Sequence, residues 1–117
     1  MMFDVEIVLR DRNEAVTERV LHTGNPAPLW TEADVEAVLK SILLALDRVK
    51  NPGSVSRHVA LRGFSWIVEP TPAGVVIAIE IPMGAAVAGP FDIPQARLDA
   101  MVTRVVAAAR PSPPVVH

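Results

Sequence analysis

Two amphipathic helical stretches, two pairs of alternating strand-like runs and a cysteine-free chain of 117 residues predict an α+β fold. The expected architecture is a two-layer sandwich, a four-stranded antiparallel sheet with two helices on one face, in the order ββαββα. Residues 1–110 are assigned to a single domain and residues 111–117, rich in proline, to a disordered tail.

Residues 3–10 alternate apolar and mostly polar side chains, the period-2 pattern of a strand with one buried face. After the polar turn 11–14, residues 15–22 continue as a second strand. A tip at Arg12 and Asn13 sets Leu9 against Val16, Val5 against Val20 and Glu6 against Arg19. This register carries one discord, because it places Glu18 and His22 on the apolar face. The loop 23–28 leads to the clearest boundary in the chain. Thr31 can cap a helix, Asp34 sits three residues on as a short-armed capping box, and Trp30 can staple onto Val35. Val35, Val38, Leu39, Ile42, Leu46 and Val49 then form one stripe, until Asn51, Pro52 and Gly53 end the helix.

The second hairpin is more apolar. Phe64, Trp66 and Val68 share one face of a strand ending near Glu69, the turn 70–74 reverses the chain, and Val75, Ile77, Ile79 and Ile81 return on the same face. Its opposite face carries Ile67, Val76 and Ala78, so the strand 75–81 is apolar on both sides. Residues 82–91 read as a Gly- and Ala-rich loop. Asp92 and Gln95 suggest a capping box for a last helix with Pro94 in its first turn and a stripe of Leu98, Met101, Val102, Val105 and Ala109.

Composition narrows the function classes. A net charge of −2 gives no general attraction to nucleic acid or anionic membrane, and no apolar run approaches the ~20 residues of a bilayer span. The absence of cysteine and of a signal-like N-terminus points to the cytoplasm, and Arg outnumbering Lys nine to two suggests a GC-rich bacterial source. No cofactor and no metal are expected. The run 84–89 has P-loop glycine spacing, but Pro90 and Phe91 stand where phosphate- and magnesium-binding residues are needed. His22, His58 and His117 lack ligand spacing, no serine sits in a nucleophile elbow, and Glu69 and Glu80 fall near different ends of their hairpin.

One segment is locally basic. Arg48, Lys50, Arg57, His58 and Arg62 fall between Asp47 and Glu69 with no intervening acid, and a regular strand would align His58, Arg62 and Trp66. Arg57, His58, Arg62 and Trp66 are therefore a candidate set for a planar anion, by ion pairing and stacking. The alternative is that Trp66 belongs to the core with Phe64 while Arg62 and His58 lie in solvent beyond it. The loop 82–91 could likewise admit a ligand or merely cover the end of the sheet.

Two helical stripes cover only one side of a sheet, which leaves Ile67, Val76 and Ala78 as a candidate homodimer interface, beside Val8 and Leu21. The expected function is a self-associating binding or scaffold module without catalysis of its own. The alternative is a small anionic-ligand binder or enzyme with a site between the 82–91 loop and the positive segment 48–62. A flat apolar patch favours the first, and a pocket lined by Arg62, His58 or Trp66 the second.

Overall fold

The alternation near the N-terminus does form a hairpin, β1 (Met2–Leu9) with β2 (Ala15–Leu21), in the computed structural model of the chain, which describes residues 1–12, 14–53 and 59–109. Its register is offset by two from the expected one: Val5 lies opposite Glu18 and Ile7 opposite Val16. A shift of two preserves the faces, so Phe3, Val5, Ile7 and Leu9 are buried while Asp4, Glu6 and Val8 are exposed.

The main helix, α1 (Glu32–Lys50), begins where the sequence indicates. Thr31 and Asp34 close a capping box in both directions, and Val35, Val38, Leu39, Ile42, Leu46 and Val49 are buried along one stripe. The second hairpin also keeps its predicted faces: in β3 (Ser65–Thr71) and β4 (Gly74–Ile81), Trp66 lies opposite Ile79 and Val68 opposite Ile77.

The four-stranded sheet and the ββαββα order are overturned in the region expected to be a loop. Residues of that segment form a fifth strand, β5 (Gly84–Phe91), joined to β4 through the two-residue turn Pro82–Met83. This strand is the centre of the sheet, whose order is β2-β1-β5-β4-β3 with every pairing antiparallel. The element order is thus ββαβββα. The reason is the size of its side chains. Ala86 and Ala88 are completely buried beneath the helical layer, and such small residues let α1 approach the sheet while Val5, Ile7, Ile77 and Ile79 fill the space on either side. An Ala-rich run with glycines at both ends carries almost no β propensity of its own, so strand pairing on both edges imposes the conformation. Gly84 is required by close approach, because a Cβ there would fall 2.5 Å from the Val8 carbonyl oxygen.

The last helix, α2 (Gln95–Ala109), buries Leu98, Met101, Val102 and Val105. The expected Asp92–Gln95 capping box gives way to another contact: the Gln95 amide donates to the Val68 carbonyl at 3.0 Å and ties the helix to β3. Arg97 donates to the carbonyls of Pro28 and Trp30, and Arg104 pairs with Glu32 at 3.0 Å, so α2 also holds the entrance of α1. Both helices lie on the face that buries Val5, Ile7, Ile77 and Ile79, as the stripes require. Among the described residues no helix is long and apolar enough to cross a membrane. The tail 111–117 lies outside the described residues.

Candidate functional site

The face of the sheet turned away from the helices is assembled by pleat alternation. Across β3, β4 and β5 the register sets Ile67 beside Ala78 and Ala78 beside Val87, so three apolar positions form one row at right angles to the strands. Val8 flanks this row on β1 opposite Ala85, and Val76 extends it along β4, near Gly89. Ile67 is 51 % exposed, Val8 45 % and Val87 43 %, whereas Val76 and Ala78 are half-buried by their neighbours. The alanines keep the middle of the row low between Ile67 and Val87, giving a shallow groove of about 270 Å³ bounded by Ser65 and Glu80. Charges of both signs surround it: Asp4, Glu6, Glu69 and Glu80 against Arg19, which lies directly opposite Asp4. All three expected interface residues, Ile67, Val76 and Ala78, lie on this face. Val87 and Ala85 were hidden from sequence reasoning by the missed strand.

Of the candidate anion-binding set, the structure describes only Arg62 and Trp66. Arg57 and His58 lie outside the described residues. Trp66 is half-buried against the core on the helix-facing side of β3, as the core reading of that residue requires. Arg62 lines a cleft of about 550 Å³ between the C-terminal half of α1, the segment 59–63 and the end of β4, to which Trp66 contributes no wall. The walls are Leu43, Leu46, Val59 and Ile81, and Lys50 and Asp47 join Arg62 at the rim. The segment 82–91 supplies no wall to this cleft, because it has become β5 and its turn.

A third feature accounts for the histidine in the discord of the first hairpin, while Glu18 stays half-buried opposite Val5. His22 is buried, and its Nε2 lies 3.0 Å from Oδ1 of buried Asp34. A carboxylate only accepts hydrogen bonds, so Nε2 carries the proton. The same Oδ1 accepts from the Asn25 backbone at 3.0 Å, while Oδ2 accepts from the Asn25 amide, the Thr31 backbone and the Thr31 hydroxyl. Burial pushes the Asp34 carboxyl up, but the Thr31 and Asn25 hydrogen bonds, with that of His22, outweigh it and hold the group well below the usual carboxylate range. Trp30 covers the site edge-on to His22 and donates its indole N–H to the Asn25 carbonyl. The signal for this knot was present in the sequence as two separate facts, a histidine on an apolar face and an acid capping a helix, and a buried polar group calls for a partner. The pair fastens the end of β2 to the start of α1. No group of three or more potential metal ligands occurs among the described residues.

The chain matches no protein-family model, and no curated protein or solved structure is significantly similar to it.

Proposed function

We propose that this protein is a self-associating binding module, in which the helix-free face of the sheet packs against the same face of a second copy. The observation that carries this reading is the contiguous apolar row Ile67–Ala78–Val87, extended by Val8 and Val76. An apolar patch of this kind on a globular chain is hidden by association more often than it is left in water. A second copy fits because the apolar centre needs an apolar counterpart, which the same face of another chain supplies, and two-fold pairing is the commonest closed arrangement of that kind. A cysteine-free chain of this composition suits the cytoplasm of a bacterial cell.

Size-exclusion chromatography with light scattering tests the proposal. Wild-type protein is expected at twice the single-chain mass over the micromolar range. Val87→Glu or Val76→Glu, each placing a charge in the patch, is expected to give the single-chain mass, whereas Ala37→Glu on the exposed side of α1 leaves the dimer intact. A wild-type mass equal to one chain ends this reading.

A further inference from the structure

We propose that the cleft beneath the C-terminal half of α1 is a binding site for a small amphipathic anion, an alkyl chain bearing a carboxylate. The site is independent of the sheet face on which self-association rests. Its size falls within the range of small-molecule pockets, at about 550 Å³. Its chemistry is divided in two. Leu43, Leu46, Val59 and Ile81 provide apolar lining to an open cleft, and its two cations, Lys50 from α1 and Arg62 from the segment 59–63, are both exposed.

The two cations have different standing. Lys50 lies in the last turn of α1 beside Arg48, where a positive charge complements the partial negative charge of the helix end, so its presence needs no ligand. Arg62 belongs to no helix, and among the described residues neither it nor Lys50 makes an ion pair. The acid at the rim, Asp47, already accepts a hydrogen bond from the Asn51 amide at 2.9 Å. The mouth therefore keeps an excess of one positive charge, with the planar guanidinium able to grip a carboxylate through two parallel hydrogen bonds. A neutral ligand would leave that charge unanswered. A cation would be repelled by it.

Titration calorimetry on the full chain with decanoate, using decan-1-ol and decyltrimethylammonium as chain-matched controls, tests the assignment. Decanoate is expected to bind and both controls to fail. Arg62→Gln should weaken binding about tenfold, the loss of the charge-assisted contact, and Arg62→Lys should recover only part of it, because an ammonium keeps the charge without the two parallel hydrogen bonds. Ala60→Trp, which adds bulk at an exposed position of the lining, should abolish binding without altering the circular dichroism spectrum. Decan-1-ol binding as tightly as decanoate would overturn the proposal, as would unchanged affinity in Arg62→Gln, or no heat with decanoate up to about 2 mM. Val87→Glu is expected to leave decanoate affinity unchanged; a loss there would move the ligand to the sheet face and also refute the cleft, whatever the oligomeric state proves to be.

Discussion

At Asp34 a single carboxylate satisfies five donors from three residues and fixes the junction between β2 and α1. Since the folded protein holds this carboxyl below its ordinary value, its contribution to stability is fully present above about pH 5 and is lost progressively as pH falls below the ordinary carboxylate value toward the lowered one. Asp34→Asn keeps the shape but loses the charge and part of the donor set, and should cost about 1–3 kcal/mol at neutral pH. Its melting temperature should then fall less steeply than wild type between about pH 5 and pH 2 in a thermal titration. Gly24 belongs to the same knot, because a Cβ there would meet Asp34 Oδ1 and, at 2.7 Å, His22 Nε2. Gly24→Ala should therefore destabilise the protein as Asp34→Asn does, with a matching loss of melting temperature. Both partners were visible in the sequence. Their meeting was not, because twelve residues and a loop separate them and only the path of that loop brings them within hydrogen-bond distance.

Among the secondary-structure elements, those with strong local signals were legible and the one without was not. The period of α1, its capping box and the alternation of β1 and β4 all survive in the structure, since each is written in large apolar residues at regular spacing. The strand β5 is written in alanine and glycine, and its burial comes wholly from its neighbours. The candidate interface was accordingly legible at Ile67, Val76 and Ala78 and invisible at Val87. Overpacking distinguishes a buried central strand from a surface loop: Ala86→Leu should cost about 1–3 kcal/mol in chemical denaturation, where a loop would accept it. Ile79→Ala, in the neighbouring strand, should cost about 2–5 kcal/mol. Hydrogen exchange should find the amides of Ala86 and Ala88 among the slowest in the chain.

For the whole molecule, the helical layer covers one side of the sheet, and the self-association proposed above would cover the other. If two copies share the bare face, unfolding is coupled to dissociation, and the midpoint of a urea titration should rise with protein concentration for wild type and stay constant for Val87→Glu. The position of β5 in the sheet has a further consequence for the order in which the chain can assemble. The first hairpin and the β3–β4 hairpin do not touch through strand pairing; each is joined to β5, which is the last strand to be made. During synthesis the ribosome thus releases two separate ribbons, each with an open inner edge, and neither can be stitched to the other until residues 84–91 have left the exit tunnel. A chain halted at residue 83 should show no cooperative melting transition and should be cleaved rapidly by protease, whereas extension through β5 and α2 should confer resistance in one step.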